Sequence, residues 1–492
     1  MPGQKKWNLM KLERLSIAAL HKLTHAIETP GYQPASVTTG IVHFGVGNFH
    51  RAHQAVYCDT LLKQGETKWG ITGVSLRSPG MRDNLAPQDY LYTLVTLGEA
   101  TSYRIIGAMQ KLLVAPEDPQ SVIDAVAHNQ TQLVTTTITE KGYYLSGGVI
   151  DRRHPDIARD LGALNMPHTT YGYLAAAMIK RCANKGSPLT VLCCDNMHGG
   201  GKHLLQGVQM LLERHSPETL NWVTANVAFS TSMVDRVTPA TDERLKDKVT
   251  EQLGVYDGAP VATEPFTQWI IEDRFAGIRP PFDRGGALFV EDIAPFERIK
   301  LRFLNAGHSM LAALGYLAGD CYIHQALQRP IFARFTEQAL KLNVMPVTPV
   351  PEGVSGETYI NQVLERFANG NLPYKVLQVG SDSSQKIQQR WLPTIDDALT
   401  QGGDSSYLAF SLAAWVCFIH KALVNDDLND PLRIEFANCI SSGNTSHVQG
   451  FLTLAGADKF AFFSDDPFMK LVDQFHLSIA ERGVEQAIDS YF

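Results

Sequence analysis

The chain has 492 residues, of which 44% are hydrophobic and 19% are charged, and its formal net charge is −7. This length predicts two or more domains, and the composition is that of an ordinary globular protein with enough apolar material for a large core. The negative charge, with no block of Lys or Arg, argues against a nucleic-acid partner.

Cysteine usage and apolar runs indicate the compartment. The odd, dispersed cysteines lack CxxC spacing, which is typical of a reducing environment, so we expect a cytoplasmic protein. The basic N-terminal stretch MPGQKKWNLMKLERLSIAALHKL lacks an uninterrupted apolar segment and a small-residue cleavage site, so it is not interpreted as a signal peptide. The apolar run YLAFSLAAWVCFIH is too short to span a bilayer, which predicts a core helix and no membrane partner.

From about residue 40 to 290, β-rich runs alternate with helical patterns. The runs GIVHFGVG, WGITGVSL, TQLVTTTIT, PLTVLCCD and NVAFSTS predict strands, and NFHRAHQAVYCDTLLKQG, TYGYLAAAMIKRCANKG and KHLLQGVQMLLERH predict helices. Such alternation favours an α/β domain with a mostly parallel sheet covered by helices.

After about residue 290 the strand pattern fades and long helical patterns dominate. The Gly/Pro-rich stretch FAGIRPPFDRGGA precedes this change and is the best boundary signal. We therefore predict a dinucleotide-binding domain over residues 1–290, including an N-terminal extension, and a mostly α-helical domain over residues 291–492.

The first strand is followed directly by a glycine pair. Gly45 and Gly47 allow a tight turn at the start of a helix that opens with Asn48 and Phe49, where a pyrophosphate can bind the helix N-terminus. The third glycine of GxGxxG is replaced by His50. A lone GxG also fits an incidental strand–helix turn.

The second strand ends without the acid that usually binds the adenosine ribose. Arg77 and Ser78 are followed by Pro79 and Gly80, and the first acid is Asp83. Because Arg77 is able to contact a 2′-phosphate, NADP is not excluded.

Two polar clusters were weighed as zinc sites. One is His50 with His53, and the other comprises Cys193, Cys194, Asp195 and His198. Neither has paired CxxC or HExxH spacing, so no metal site is expected. Asn196, in the second cluster, follows a predicted parallel strand at its carboxyl end, where such sheets place ligands.

The stretch FERIKLRFLNAGHSM places three polar residues in an apolar helical pattern. With Lys300 at zero and about 100° per residue, His308 falls at about 80° and Asn305 at about 140°, while Glu297 lies at about 60°. They can converge on one small molecule. Taken singly, each also fits a snorkelling lysine or a hydrogen-bonded core polar residue.

Seven segments together resemble one family: GIVHFGVGNFHRAHQAVYCDTLL, LRSPGMRDNLAPQDYLYTL, TITEKGYY, CCDNMHGGG, MVDRVTPAT, EPFTQWIIEDRF and KLRFLNAGHSMLAALGYL. The chain resembles the long-chain mannitol dehydrogenase family from about residue 40 to its end. The resemblance implies a Rossmann-type N-terminal domain, a mostly helical C-terminal domain, an active site in the cleft between them, and NAD as the usual coenzyme.

The resemblance also implies roles for individual residues. Lys300 corresponds to a general base that needs no metal, Asn196 and Asn305 to amides that hold the substrate oxygen, and His308 to a substrate-orienting histidine. Glu297 corresponds to a proton-relaying acid. The remaining predicted site residues are Asp235, Lys386 and Arg390 for the substrate, and Gly45, Gly47, Asn48, Phe49, Arg77, Ser78, Thr139 and Glu140 for the cofactor.

Three functions remain open at this point. A polyol 2-dehydrogenase that interconverts a sugar alcohol and a ketose, with D-mannitol and D-fructose as the best guess, is the first. A fructuronate reductase is the second, with Lys386 and Arg390 as cations for a substrate carboxylate. A nucleotide-binding paralogue without catalysis is the third. In each case we expect a monomer or small homo-oligomer.

Overall fold

A computed structural model of the protein describes residues 12–442 and 447–492. The chain forms two compact units, and the division between them falls between Ile293 and Ala294. The first eleven residues of the basic N-terminal stretch lie outside the described residues, and Ile17–Lys22 within that stretch forms a short 3-10 helix.

The first unit alternates strands and helices over most of its length. Its strands are β1 (Thr39–Phe44), β2 (Gly70–Ser75), β3 (Tyr92–Leu97), β4 (Thr101–Ile106), β5 (Met109–Val114), β6 (Leu133–Thr136), β7 (Leu145–Ser146), β8 (Val149–Ile150), β9 (Leu189–Cys193), β10 (Val227–Asp235), β11 (Val261–Thr263), β12 (Gln268–Glu272) and β13 (Leu288–Val290). Its α-helices are α1 (Asn48–Ala52), α2 (Gln54–Lys63), α3 (Gly80–Leu85), α4 (Pro119–Ala127), α5 (Pro155–Gly162), α6 (Thr170–Ala183), α7 (Gly200–His215), α8 (Pro217–Asn226) and α9 (Glu243–Leu253). Short 3-10 helices span Pro34–Ser36, Ala86–Gln88, Glu140–Tyr143 and Phe282–Gly285.

The main sheet has the strand order β13-β12-β10-β9-β6-β1-β2-β5. Neighbouring strands are parallel except for β10 and β12, which are antiparallel. The chain runs outward from β1 to β2 and β5, and then returns to the other side of β1 at β6. The carboxyl ends of β1 and β6 therefore flank the switch point where open α/β sheets bind ligands.

The five strands predicted from the sequence correspond to β1, β2, β6, β9 and β10 of this sheet. Each is buried along nearly its whole length, as expected for a parallel strand covered on both faces. A smaller sheet, β11-β3-β4, and the hairpin β7-β8 were not predicted. The predicted α/β class with a Rossmann-type first domain is confirmed.

The second unit is helical, with no strand in its described residues. Its α-helices are α10 (Ala294–Ile299), α11 (Ala306–Ala318), α12 (Ile323–Gln328), α13 (Pro330–Gln338), α14 (Gly356–Ala368), α15 (Val376–Val379), α16 (Ser383–Arg390), α17 (Leu392–Thr400), α18 (Ser406–Val424), α19 (Arg433–Ser442), α20 (His447–Leu454), α21 (Asp466–Arg482) and α22 (Val484–Tyr491). Lys300–Asn305 and Ala339–Val344 are π-helical, and Met345–Val347, Ala457–Lys459 and Ala461–Ser464 are 3-10 helices.

Helix α18 runs through the core of the second unit. It packs against α11 and α21, and its large side chains Phe410, Trp415 and Phe418 are at most 2% exposed. Within the described residues it is also the one helix long and apolar enough to cross a membrane. The helix extends beyond the apolar run in the sequence at both ends, and its packing is that of the predicted core helix.

Candidate active site

The two glycines after β1 differ in what their backbone requires. Gly45 has φ +98°, and a Cβ at this position would lie 2.1 Å from the Thr137 carbonyl oxygen, at the end of the neighbouring strand β6. Gly47 has φ −93° and is the N-cap of α1, and the nearest atom to a Cβ there is 4.0 Å away. Gly45 is therefore required by the fold itself. Gly47 leaves open space at a helix N-terminus, which fits close approach of a pyrophosphate.

His50 replaces the third glycine of the motif by filling the space between helix and strand. Its ring stacks on the His43 ring of β1, with centroids 3.3 Å apart and planes at 12°, and both side chains are fully buried. The His43 ring nitrogens contact the hydroxyls of Thr135 and Thr137. Burial lowers the pKa of His43 to about 3 and the pKa of His50 well below its usual range, so both rings are neutral at pH 7.

Asn48 and Phe49 were predicted to bind cofactor, and their side chains contact the protein. The Asn48 amide donates to the Pro239 carbonyl and the Thr241 hydroxyl, both at 3.2 Å, and its oxygen accepts from Arg51 at 2.6 Å. The Phe49 ring stacks on His53. These contacts attach α1 to the segment that follows β10 and to the neighbouring helix α2.

Beyond β2, the side chains of Arg77 and Ser78 are exposed. The first acid, Asp83, lies on α3 and pairs with Arg82 at 2.8 Å, and Arg82 also pairs with Glu117. A cation and a hydroxyl therefore occupy the position after the second strand where dinucleotide-binding sheets usually present a carboxylate.

The loop after β6 contains Thr139 and Glu140, both exposed. It is held by the carboxylate of Asp195, which was not predicted as a site residue. Thr139 has φ +65°, which is unusual for a residue with a branched side chain. Its N–H donates to Asp195 at 2.8 Å. The Asp195 carboxylate also accepts from the Thr136 hydroxyl at 3.0 Å and the Tyr143 hydroxyl at 2.7 Å.

Asp195 is 6% exposed, and burial raises its pKa despite these hydrogen bonds. The next residue, Asn196, is exposed at the carboxyl end of β9. Asp235 is the last residue of the adjacent strand β10 and is 4% exposed. The predicted residues of the first unit thus follow the carboxyl ends of β1, β2, β6, β9 and β10, along one edge of the sheet.

The weighed zinc clusters have other contacts. The His53 ring nitrogen Nε2 contacts the Gln268 carbonyl at 2.9 Å, and Cys193 Sγ lies 3.0 Å from the Tyr143 hydroxyl. Among the described residues, no group of three His, Cys, Asp or Glu side chains has the arrangement of a metal site. The polar clusters that the sequence placed near the strand ends are used for packing and for holding loops.

In the second unit, Lys300 and Asn305 bound a π-helical segment that connects α10 to α11. The sequence pattern predicts a regular α-helix here, and this prediction is wrong over these six residues. A π-helix turns through a smaller angle per residue, roughly 80–90°, which brings Asn305 to within about 40–90° of Lys300 and His308 to within about 30°. The three polar residues therefore share a narrower face than predicted. Lys300 is 9% exposed.

His308 is oriented by aromatic side chains. Its ring stacks on Phe367, with centroids 4.8 Å apart, and lies edge-on to Tyr374 at 5.3 Å. Glu297 lies on α10, one helical turn before Lys300, and is partly buried. The aromatic contacts hold the plane of the imidazole ring.

Arg390 and Lys386 lie on α16, and both contact their own unit. Arg390 Nη1 donates to the Asn305 carbonyl at 3.1 Å and the Ser309 hydroxyl at 2.7 Å. Lys386 Nζ donates to the Val379 carbonyl at 3.1 Å. Arg390, predicted to bind substrate, is therefore also a brace for the segment that carries Asn305 and His308.

Arg302 anchors the π-helical segment on its other side. It is 8% exposed and donates to the Val347 carbonyl at 2.8 Å and to Asp397 at 2.5 Å. Neither this brace nor Asp195 was identified from the sequence. The signal for Asp195 was present, since an acid directly after a buried strand at the ligand edge of a parallel sheet is a polar residue in need of partners.

Two family models match the chain. The mannitol dehydrogenase Rossmann domain matches residues 39–284, and the mannitol dehydrogenase C-terminal domain matches residues 292–455. Together they cover well over half of the sequence, and they contain all the predicted site residues.

Similar proteins and structures agree with these matches. A mannitol 2-dehydrogenase of Neosartorya fischeri is 38% identical over 487 residues, which covers 94% of this chain and 95% of that protein. The structure of Pseudomonas fluorescens mannitol 2-dehydrogenase in a ternary complex with NAD and D-mannitol has a TM-score of 0.83 at 31% identity, covering 97% of this chain and 99% of that one. A D-sorbitol dehydrogenase has a TM-score of 0.88 at 29% identity, covering 96% and 100%. The chain belongs to the mannitol dehydrogenase family.

Proposed function

We propose that the protein is an NAD-dependent polyol 2-dehydrogenase that interconverts a sugar alcohol and a ketose, with D-mannitol and D-fructose as the substrate pair. The observation that carries the proposal is the match of both domains to mannitol dehydrogenases, including one whose structure holds NAD and D-mannitol. We further propose that it acts in the cytoplasm as a monomer or small homo-oligomer, without a nucleic-acid, membrane or metal partner.

The first unit has the features needed to hold the coenzyme. The absence of a side chain at Gly45 lets the turn after β1 lie directly against Thr137, and the open space at Gly47 leaves the N-terminus of α1 for the pyrophosphate. Thr139 and Glu140, at the switch point beside β1, complete the binding loops. The coenzyme supplies a hydride acceptor at its nicotinamide ring. Arg77 and Ser78 also accommodate a 2′-phosphate, so NADP remains the second coenzyme to test.

Lys300 is proposed as the general base in alcohol oxidation. Removing the hydroxyl proton while hydride leaves the carbon requires a base within hydrogen-bond reach of that oxygen. Lys300 accepts the proton, and in ketose reduction the protonated lysine returns it. Glu297, one turn away, passes the proton between the lysine and solvent.

The two amides and the imidazole are proposed to orient the substrate. Asn196 and Asn305 donate N–H groups to the oxygen that gains negative charge during the reaction, which stabilises the transition state more than the ground state. His308, held by Phe367 and Tyr374, donates to or accepts from a neighbouring hydroxyl of the polyol. Asp235 is proposed to bind a further substrate hydroxyl, and Lys386 another.

Fructuronate reduction remains the alternative from the sequence. It requires a cation for the substrate carboxylate, for which Lys386 and Arg390 were the candidates. In the structure Arg390 braces the segment with Asn305 and Ser309. This contact favours a role in positioning and gives the uronate no specific support.

The test is an absorbance assay at 340 nm that crosses NADH and NADPH with D-fructose and D-fructuronate. The proposal expects preferential oxidation of NADH with fructose and activity unchanged by EDTA. Preference for fructuronate would replace the polyol assignment, and NADH binding without turnover on any sugar would favour a paralogue without catalysis.

Substituting the base separates chemistry from coenzyme binding. Lys300→Ala is expected to lower kcat by roughly 10³-fold or more, because a general acid–base catalyst contributes about 10²–10⁴-fold to the rate. The groups that orient the substrate remain in this variant. The NADH dissociation constant should stay within about twofold, since the predicted coenzyme residues lie in the first unit. Normal turnover in this variant would remove Lys300 from the mechanism.

A further inference from the structure

The carboxylate of Asp195 joins two parts of the first unit that the proposed function uses separately. It lies between the loop Thr139–Tyr143, proposed to bind the coenzyme, and Asn196, proposed to hold the substrate oxygen. Thr139 contributes its backbone N–H and Tyr143 its hydroxyl, while Asn196 is the next residue in the chain. Among the residues that the structure describes, no other side chain hydrogen-bonds to both ends of this loop.

The surroundings leave these groups little freedom to move. The Tyr143 carbonyl accepts from the Tyr171 hydroxyl at 2.9 Å, and Tyr143 is fully buried. On the other side, a Cβ at Gly200 would lie 2.2 Å from Cys193 Sγ, so α7 packs directly against the end of β9. The turn that contains Asn196 is thus closed in by β9 before it and by α7 after it.

We propose that Asp195 is a positioning residue that fixes the coenzyme loop Thr139–Tyr143 and the amide of Asn196 in one arrangement. The inference rests on the proposed function, because it assigns Asp195 to the site where Asn196 and the coenzyme loop act. Thr139 has a strained positive φ, and the hydrogen bond from its N–H to this carboxylate helps to retain that conformation. A change at Asp195 therefore moves both groups at once.

Asp195→Asn is the most direct perturbation. The asparagine keeps the shape of the side chain and still accepts from the Thr139 N–H. Its NH₂ group faces the Thr136 and Tyr143 hydroxyls, which donate to the carboxylate and must both rotate. We expect the NADH dissociation constant to rise about tenfold and kcat to fall about tenfold, as for the loss of a charge-assisted hydrogen bond or two.

Asp160→Asn is the matched control. Asp160 is also a buried carboxylate of the first unit with three donors, namely the N–H groups of His168 and Thr169 and the Thr169 hydroxyl. The hydrogen bonds of its carboxylate involve no predicted site residue. We expect a similar fall in thermal stability, with kcat and the NADH dissociation constant within about twofold of the wild type. If the two variants changed kcat and the NADH dissociation constant equally, the proposal would be overturned, because Asp195 would then contribute only to stability.

A double-mutant cycle tests the link to Asn196. If Asp195 acts on turnover by placing this amide, Asp195→Asn should change kcat less than about twofold in an Asn196→Ala background, while its effect on NADH affinity persists. A full tenfold loss of kcat in that background would overturn the link.

A milder variant and a substrate-free measurement keep the proposal testable. Tyr143→Phe removes one donor and should raise the NADH dissociation constant about threefold, so an unchanged value would overturn the proposal if Asp195→Asn fails to fold. Fluorescence titration with NADH needs no substrate. If no polyol is oxidised by the wild type, the proposed function fails, and the titrations of Asp195→Asn and Asp160→Asn still decide the inference.

Discussion

Replacing Gly45 by alanine should destabilise the first unit, whereas replacing Gly47 by alanine should mainly weaken coenzyme binding. At Gly45 the alanine must adopt φ +98°, which costs an L-residue about 1–2 kcal/mol. Its Cβ would also lie 2.1 Å from the Thr137 carbonyl oxygen and 2.7 Å from its carbon, so backbone must shift. We expect Gly45→Ala to lower the free energy of unfolding by about 3 kcal/mol or more.

Gly47→Ala is the matched control at the other end of the same turn. Its φ of −93° suits any residue, and the nearest atom to the new Cβ is 4.0 Å away. Exchanging glycine for alanine at an N-cap should cost only about 1 kcal/mol or less. The methyl group occupies the open side of the N-terminus of α1, so we expect the NADH dissociation constant to rise about tenfold or more.

Thermal unfolding and NADH titration of both variants separate these effects. With roughly 2–4 °C per kcal/mol for a unit of this size, Gly45→Ala should unfold about 6–12 °C below the wild type, and Gly47→Ala within about 4 °C of it. The steric argument would be refuted if Gly45→Ala unfolded at the wild-type temperature. The coenzyme argument would be refuted if Gly47→Ala bound NADH with wild-type affinity.

Two further predictions concern the stacked rings of His43 and His50 and the contacts of Arg390 with the segment that carries Asn305. The folded protein holds His43 and His50 neutral, with pKa values lowered by burial. Below about pH 6.5 the unfolded chain therefore binds more protons than the folded protein, and the free energy of unfolding falls as the pH drops toward 3. For His43 this loss amounts to about 2 kcal/mol at pH 5. His50→Phe should preserve the stack and reduce this loss, as measured by urea unfolding at pH 7 and pH 5; an equal loss in both proteins would contradict the assignment. Arg390→Lys loses the planar group that contacts Asn305 and Ser309 together, and should lower kcat about tenfold with NADH affinity unchanged. Steady-state kinetics with an unaltered kcat would show that the brace is dispensable.

The sequence was most informative where local pattern and tertiary environment agree. Buried parallel strands are continuous apolar runs, so β1, β2, β6, β9 and β10 could be predicted. Strands β3 and β4 pair with each other across a short turn, so their sequence could have indicated a hairpin, whereas β11 joins β3 from a distant part of the chain. Gly45 could be predicted as a turn residue, while its close approach to Thr137 is visible only once β6 lies beside β1.

The side chains around the candidate site were predicted less completely, for two physical reasons. His50 was noted as a missing glycine, because a sequence motif does not reveal that a stacked imidazole pair can fill the same space. The direction of Asn305 was misjudged because an α-helix and a π-helix share the same apolar pattern over six residues. Asp195 was considered as a zinc ligand and set aside, and its three donors become visible only when β6 and the loop that follows lie beside the end of β9.

The π-helical segment also affects which sequence changes this helix can accept. Six residues with i→i+5 hydrogen bonds amount to an α-helix into which one additional residue has been inserted. Losing one residue between Lys300 and Asn305 would permit an unbroken α-helix with regular hydrogen bonds. Five steps of roughly 80–90° would be replaced by four steps of about 100°, so the side chains after the deletion would keep nearly the same direction relative to Lys300. The same deletion within α11 would turn every later side chain by about 100°, so the π-helical segment is the place where this helix accepts a change of length with the least change in side-chain direction.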